Sequence, residues 1–208
     1  GTPVVLPAGR TQLEAGYRHT RPEGGGRVQQ LPETLLRHGV AERLELQVGW
    51  TGLQRLRSGG ASETAVTDAT LGVKWAANSP RAPVPVALVA SVSLPVGDDR
   101  ASSDSVDPSL SAFYGSTRGL PWFGTTIVSA ADGDASLAQA LGLNLPVSER
   151  VSGWVEGYGI HGDAGSTHAV NGGVTWLPSR DLQLDAFVGL GLDDGPDRFL
   201  GLGVAWRF

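Results

Sequence analysis

The sequence predicts an all-β protein, folded as a transmembrane antiparallel up-and-down β-barrel of about twelve strands. Three observations carry this prediction: apolar and polar residues alternate along most of the chain, the alternating segments are about ten residues long, and the 208 residues include 30 glycines and 13 prolines. Glycine costs about 1 kcal/mol and proline about 3 kcal/mol inside a helix, so this composition disfavours a helical bundle. Because the composition is even along the chain, we expect one domain over residues 1–208, with residues 1–10 as a short N-terminal periplasmic segment.

The alternation is clearest in the last predicted strand. Its large apolar residues share one face: Leu200, Leu202, Val204, Trp206 and Phe208. Its small or polar residues share the other: Gly201, Gly203, Ala205 and Arg207. Successive side chains of a strand point to opposite faces, so a period of two predicts a strand with one apolar side. The pattern recurs at residues 43–50, 68–75 and 182–192.

A soluble β-sandwich or lipocalin-like barrel would also alternate, and three features favour a membrane barrel over it. Segments of about ten residues match the 9 to 11 that a tilted strand needs to cross a bilayer. The face opposite the apolar one is rich in Gly, Ala, Ser and Thr, which suits a crowded lumen. Aromatic residues fall near the ends of the apolar faces, where girdles would lie: Trp50, Trp75, Trp176, Trp206 and Phe208.

Turn signals divide the chain into twelve predicted strands. In order they are Thr11 to Thr20, Pro32 to His38, Glu42 to Gly52, Asp68 to Ala77, Val84 to Val96, Asp107 to Thr117, Trp122 to Ala130, Ala135 to Leu145, Val151 to Ile160, Thr167 to Leu177, Leu182 to Leu192, and Phe199 to Phe208. An even number returns both termini to one side of the membrane.

The predicted connections alternate in character. Short ones lie at residues 38–43, 146–150 and 178–181. The others are richer in Gly, Asp and Ser and lie at residues 21–30, 57–66, 97–106, 131–134, 162–166 and 193–197. Periplasmic turns of such barrels are short, so the first set and both termini should face the periplasm.

Composition also excludes several functions. The net charge is −5 and Lys and Arg form no basic run, so nucleic-acid binding is not expected. Without cysteine there is no disulfide, no Cys-ligated zinc and no thiol catalysis. The most apolar stretch, Val84 to Val96, is interrupted by Pro85 and Pro95 and is too short for a spanning helix.

If the apolar residues face lipid, the first four strands carry charges into the lumen. These residues are Glu14, Arg18, Glu33, Arg37, Arg43, Glu45, Asp68 and Lys74. Because acids and bases are interleaved, they can pair across strands. The set predicts a constriction that selects solutes by size and charge; the alternative is a salt-bridge network that fills and stiffens the barrel.

Later strands add a second candidate lumen surface. Trp154, Glu156 and Tyr158 share a face, Asp185 and Phe187 share another, and Arg207 lies on the small face of the last strand. If these point inward, aromatic surface lies beside carboxylates and would suit a small organic solute; alternatively, the rings fill space. The facing of the seventh and ninth strands stays open.

An enzymatic site is a weaker interpretation. His161, Asp163, Ser166 and His168 lie near one predicted loop, and a twelve-stranded barrel can be a phospholipase with a Ser–His site. A triad is recognised by geometry rather than spacing, and two histidines near carboxylates do not make a metal-ligand set. We therefore predict no catalytic residues, no metal and no cofactor.

Several motifs together resemble the outer-membrane transporter family named after the MetA pathway of phenol degradation. They are residues 12–17 (QLEAGY), 36–39 (LRHG), 42–46 (ERLEL), 72–74 (GVK) with Asp68, 93–98 (SLPVGD), 168–173 (HAVNGG) and 201–208 (GLGVAWRF). The resemblance implies a barrel in the bacterial outer membrane with an uptake role. The terminal Phe208 also resembles the signal that the outer-membrane insertion machinery reads.

The predicted function is a passive outer-membrane channel for small solutes, with hydrophobic or aromatic compounds favoured by the resemblance alone. A closed structural or partner-binding barrel with a salt-bridge-filled lumen is the alternative, and a lipid-modifying enzyme is the third interpretation. The expected partners are outer-membrane lipid and lipopolysaccharide, the insertion machinery through Phe208, and the solute. The oligomeric state stays open.

Overall fold

The computed structural model of the protein describes residues 2–22, 24–116, 118–163, 165–193 and 196–208. The strands are β1 (Thr11–Pro22), β2 (Arg27–Ala41), β3 (Leu44–Trp50), β4 (Leu53–Ser58), β5 (Ala61–Val66), β6 (Ala69–Ala76), β7 (Val86–Leu94), β8 (Asp107–Ser116), β9 (Trp122–Ala131), β10 (Asp134–Pro146), β11 (Val151–Gly162), β12 (Gly165–Trp176), β13 (Leu182–Gly191) and β14 (Pro196–Arg207). Within these ranges no helix is long and apolar enough to cross a membrane.

The strands pair antiparallel with their neighbours, and β1 pairs with both β2 and β14, which closes the sheet into a barrel. β3 and β4 are one strand interrupted at residues 51–52, and β5 and β6 are one strand interrupted at residues 67–68. The two interruptions face each other, since the backbone N and the hydroxyl of Thr67 both donate to the Gly52 carbonyl. When each interrupted strand is counted once, the barrel has twelve transmembrane strands, which confirms the predicted fold class.

The hairpin of β4 and β5 differs from the sequence-based expectation. Residues 57–66 were expected to form a loop, but most of them belong to these two strands. β4 also pairs with the first residues of β2, which explains why β2 starts at Arg27 rather than at Pro32. Both faces of this hairpin are largely exposed, so its sequence carries no alternating apolar signal.

The two ends of the barrel are distinct. The end that holds both termini, here called the terminal end, carries the connections after β2, β6, β8, β10 and β12. The opposite end, here called the loop end, includes the tight turn at Asp132 and Gly133, whose φ angles of 52° and 89° suit the type I′ turn of two-residue hairpins. It also includes residues 95–106, which Asp68 holds by accepting hydrogen bonds from the Gly97 backbone (2.9 Å) and the Ser102 hydroxyl (3.0 Å).

The outer surface is apolar. Leu141, Val188 and Leu202 are 62%, 65% and 58% exposed at mid-strand positions, and Trp75, Trp176 and Trp206 project outward near the terminal end. Such a surface would be unfavourable in water but suits the hydrocarbon of a bilayer, with aromatic residues at its edge. The soluble sandwich and the lipocalin-like barrel are thus disfavoured by the structure itself.

The inner wall combines rings with glycines. A Cβ at Gly189 would overlap the Phe199 ring, and a Cβ at Gly201 would overlap the Phe187 ring. These two rings therefore cover glycines of neighbouring strands. The wall keeps its aromatic surface without closing the barrel.

Candidate functional site: the lumen

The cross-strand register fixes which side chains face the lumen, because directly paired residues share a face of the sheet. Arg37 is paired with Gln12 and Gln47, and the register continues through Glu14, Ala205 and Gln183. On β11 the same chain of pairs places Trp154, Glu156 and Tyr158 inward through their partners Gly173, Asn171 and Ala169. On β9 it places Phe123, Thr125 and Ile127 inward. The register thereby assigns the inward faces of β9 and β11, the seventh and ninth predicted strands, which the sequence leaves undecided.

The lumen encloses a cavity of about 700 Å³. Its charged lining residues come from four strands, β1, β2, β6 and β13, and are Glu14, Arg18, Glu33, Arg37, Lys74 and Asp185. The rest of the lining is mostly small or amide-bearing, as in Gly16, Gln47, Ser91 and Gln183. One part of the cavity wall is thus charged, and the rest is mostly small or amide-bearing.

Arg37 is the centre of a cluster near the terminal end. Its guanidinium donates to Glu45 Oε1 from Nε (2.7 Å) and to Glu14 Oε1 from Nη1 (2.9 Å). Glu45 is fully buried and accepts a further bond from Gln47 Nε2 at 2.7 Å. A buried carboxylate with several charge-assisted donors is satisfied, but loss of its cation would leave it uncompensated.

Residues 2–9 fold back into the barrel and meet this cluster. The Leu6 backbone N donates to Glu45 Oε2 (2.8 Å), Arg37 Nη2 donates to the Val4 carbonyl (3.4 Å), and Lys74 Nζ donates to the Thr2 carbonyl (2.6 Å). Leu6 is only 4% exposed. Residues 2–9, which precede β1, therefore occupy the lumen at the terminal end.

Gly39 of β2 makes room for this inward segment. A Cβ at that position would overlap the Pro7 carbonyl and lie 2.5 Å from the Leu6 carbonyl oxygen. The backbone of Gly9 also donates to the Gly39 carbonyl at 2.8 Å. The close approach of two backbones is possible because position 39 has no side chain.

Arg18 forms a separate pair closer to the loop end. Its Nε lies 3.1 Å from Glu33 Oε1, and its guanidinium carbon lies 5.7 Å from the centre of the Phe187 ring. Arg18 is thus paired with one carboxylate while its guanidinium lies over an aromatic ring. Both contacts point the guanidinium into the cavity that it lines.

The wall formed by β11, β13 and β14 carries aromatic rings and acids. Ring centres are 6.3 Å apart for Trp154 and Phe187, 6.3 Å for Phe187 and Phe199, and 6.2 Å for Tyr158 and Phe199. Glu156 accepts a hydrogen bond from Asn171 Nδ2 (3.1 Å). Among the residues that the structure describes, neither Glu156 nor Asp185 forms an ion pair.

Three of the expected lumen residues lie apart from these pairs. Arg43 caps strand carbonyls at the terminal rim, donating to Ala76 O (2.8 Å) and Ala77 O (2.7 Å). Asp68 holds the loop at residues 95–106, as described above. Arg207 donates to Gln12 Oε1 at 3.4 Å from Nε and 3.3 Å from Nη2, beside the Arg37 cluster.

Sequence reasoning missed several participants. Gln12, Gln47, Asn171 and Phe199 contact the charged or aromatic groups above, and their inward positions could have been read from the strand period. Residues 2–9 carry no such period, and they bind mainly through backbone atoms, so nothing in their side chains indicated the contact.

The histidine-rich segment lies on the outer surface at the loop end. His161 Nδ1 is 2.8 Å from Ser166 Oγ, and His168 Nδ1 is 2.5 Å from Asp193 Oδ2. The Asp193 carboxylate therefore orients His168. A catalytic Ser–His pair would need such a carboxylate on the histidine that contacts the serine, which here is His161. In the described part of the chain, no group of three or more His, Asp or Glu side chains is placed to hold a metal ion.

Comparison with known proteins adds to this geometry. A family model described as "Putative MetA-pathway of phenol degradation" matches residues 1–208. The COG4313 outer membrane channel from Pseudomonas putida F1 has a similar structure, with 16% identity, a TM-score of 0.72, and coverage of 98% of this chain and 97% of that one. No curated protein sequence matches this chain.

Two porins are also similar in fold. The NanC porin has 8% identity and a TM-score of 0.64, with 94% of this chain and 98% of that one covered. The KdgM porin has 12% identity and a TM-score of 0.63, with 94% and 99% covered. At these identities the likeness establishes the fold, and it confirms the prediction of an outer-membrane type of barrel.

Proposed function

Because the chain belongs to the family described as putative MetA-pathway of phenol degradation, we propose that it is a passive channel for small solutes in the bacterial outer membrane. The observation that carries this proposal is the polar-lined cavity of about 700 Å³ inside a barrel with an apolar exterior. A cavity of that size is in the range of small-molecule sites, roughly 300–1,000 Å³. We place both termini in the periplasm, because the longest connection, residues 95–106, and the β4–β5 hairpin both lie at the opposite end, as expected of the external side.

The proposed constriction is the Arg37 cluster together with residues 2–9. This level of the lumen carries the fixed charges of Arg37, Glu14 and Glu45, and residues 2–9 narrow the lumen beside them. A solute would pass only beside this segment or after its displacement. Charge and width at this level would then set both conductance and ion selectivity.

The solute class that fits the opposite wall is a small organic compound with an aromatic or apolar part. Trp154, Phe187 and Phe199 supply flat apolar surface inside an otherwise polar lumen. Lipid and lipopolysaccharide would contact the apolar exterior. Phe208, which is 51% exposed and packs against Trp206 with ring centres 5.0 Å apart, is the proposed recognition signal for the insertion machinery.

A closed, partner-binding barrel is the second candidate. It is favoured by the way residues 2–9 and the buried Glu45 occupy the terminal end of the lumen. A lipid-modifying activity is disfavoured by the unoriented Ser166–His161 pair, and we propose that the protein is not an enzyme.

Conductance in a planar bilayer separates the two candidates. We expect the purified barrel to carry steady current and a variant lacking residues 1–9 to carry more. Asp99→Asn, an exposed loop charge, serves as the control and should leave the current unchanged. If the wild type and the truncated variant are both folded and both silent, the channel proposal is wrong and the closed barrel stands.

A further inference from the structure

Four aromatic rings form a patch on one wall of the lumen. Trp154 and Tyr158 lie on β11, Phe187 lies on β13 and Phe199 lies on β14, and each ring is within 6.3 Å of the next, measured between centres. The positions between them are small: Gly173, Ala169, Gly189 and Gly191. The four rings thus form a continuous aromatic patch with small residues at neighbouring positions of the wall.

Three of these rings lie over glycines of neighbouring strands, and Phe187 also lines the cavity. Phe187 lies over Gly201 and Phe199 over Gly189, while Trp154 Cε2 would be 2.9 Å from a Cβ at Gly173. A ring lying on a glycine of the wall presents its opposite face to the lumen. The face of an aromatic ring is the negative part of its quadrupole and attracts cations.

Two carboxylates accompany the rings. Glu156 lies between Trp154 and Tyr158 on the inward side of β11, and Asp185 lies two residues before Phe187 on β13. Arg18 and Arg37 already have carboxylate partners, whereas Glu156 is held only by the amide of Asn171. The patch therefore combines negative ring faces with negative charge that no ion pair neutralises in the described chain.

The protein itself shows that one of these faces accepts a cation. The guanidinium of Arg18 rests on Phe187 at 5.7 Å, and its charge is balanced by Glu33 at 3.1 Å. Across the lumen, the Lys74 ammonium lies 5.4 Å from the centre of the Phe113 ring. The remaining rings, Trp154, Tyr158 and Phe199, have no such cation among the described residues.

We propose that this patch is a binding site for organic cations, namely protonated amines or quaternary ammonium compounds that carry an aromatic or alkyl group. The cationic group lies against the rings beside Glu156, and the apolar part covers the glycine-lined floor. The inference rests on the proposed channel in that it names the class of solute recognised along the lumen. It also specifies the charge of the solute, which the channel proposal leaves open: neutral and anionic aromatic compounds should bind less tightly than cationic ones.

The test uses three probes of nearly equal shape and different charge: 2-phenylethylammonium, 2-phenylethanol and phenylacetate. Each is added to the purified full-length barrel in a planar bilayer, and its binding is also measured by calorimetry in detergent. We expect the ammonium probe to bind most tightly and to block the current. Glu156→Gln keeps the oxygen that accepts from Asn171 and removes the charge, so it should weaken ammonium binding about tenfold.

A matched control is Glu149→Gln, which removes the same charge from an exposed turn outside the lumen and should leave binding unchanged. Asp185→Asn is a second variant, expected to weaken the ammonium probe in the same direction. Equal affinity for the three probes would overturn the inference, as would unchanged ammonium binding in Glu156→Gln and Asp185→Asn. Tighter binding of phenylacetate would also overturn it and would make Arg18 the recognising group.

The two measurements keep the inference distinct from the channel proposal. A silent barrel whose calorimetric ammonium binding falls in Glu156→Gln would refute the channel and support the cation site. A conducting barrel that the ammonium probe blocks no better than 2-phenylethanol would support the channel and refute the cation site.

Discussion

At the residue scale, Arg37 is the central side chain of the proposed constriction. It bridges Glu14 and Glu45, and it also contacts the inward segment through the Val4 carbonyl. No other described basic residue joins two carboxylates. A change of Arg37 therefore alters the charge, the width and the stability of the proposed constriction together.

We expect Arg37→Ala to shift ion selectivity toward cations, because two carboxylates lose their shared cation. Breaking a buried pair by removing one partner typically costs about 3–5 kcal/mol, so the free energy of unfolding should also fall. The reversal potential across a salt gradient measures the first effect. Asp99→Ala, which removes an exposed loop charge, is the control; equal and negligible shifts in both variants would rule out the constriction at Arg37.

A second residue-scale prediction concerns Asp193, which lies in the turn after β13. Hydrogen bonds from the His168 ring and from the His168 backbone N hold the pKa of Asp193 below its usual value. Since the pKa is lower in the folded protein, this contact stabilises the fold at neutral pH, and the contribution is lost as pH falls through the lowered pKa.

We expect His168→Ala to raise the pKa of Asp193 toward its usual value, measured by following the carboxyl carbon in an NMR titration. His161→Ala is the matched control, because His161 Nδ1 contacts Ser166 and not Asp193. A shift of the same size in both variants would show that general charge, rather than the His168 contact, sets the pKa.

At the scale of elements, the strands could be predicted from the sequence because each has one apolar and one small or polar face. Residues 182–192 show it well: Leu184 and Val188 face outward, and Asp185 and Phe187 face the lumen. The hairpin of β4 and β5 could not be predicted in this way, because both of its faces are largely exposed and it lacks the two different environments of the other strands.

The candidate site was predictable only in part, for a similar reason. The strand period indicated Glu14, Arg18 and Arg37 as inward residues, and the register places them at the cavity. Which charges pair depends on stagger between strands, which one sequence does not carry. The inward course of residues 2–9 depends on backbone hydrogen bonds, which are indifferent to side-chain type.

The element-scale prediction addresses that inward segment. We expect Gly39→Leu to displace residues 2–9, because the new side chain would occupy the space of the Leu6 and Pro7 carbonyls. Displacement should raise the single-channel conductance. Gly157→Leu is a fitting control, since a Cβ at Gly157 meets no atom within 4 Å and the register points it outward. Unchanged conductance in Gly39→Leu would mean that the segment does not narrow the path.

At the scale of the whole molecule, the barrel is organised as the reverse of a soluble protein. Among the described residues, the largest fully buried side chain is the charged Glu45, while large apolar side chains such as Leu141 and Val188 are more than 60% exposed. The apolar exterior is therefore stabilised by contact with lipid, and the polar interior is stabilised by ion pairs and hydrogen bonds within the barrel. The membrane completes the fold, so stability should depend on the face that a substitution reaches.

Neighbouring positions on β10 test that dependence. Leu141 faces outward and is 62% exposed, whereas Ala140 faces the lumen in register with Thr125 and Tyr158. Leu141→Arg places a charge in hydrocarbon and should lower the free energy of unfolding from lipid vesicles by about 2–4 kcal/mol if the site is near the bilayer midplane. Ala140→Arg reaches the lumen and should cost much less while changing the conductance. Reversible urea unfolding measures both, and a larger loss for Ala140→Arg would reverse the assignment of inner and outer faces on which the proposed channel depends.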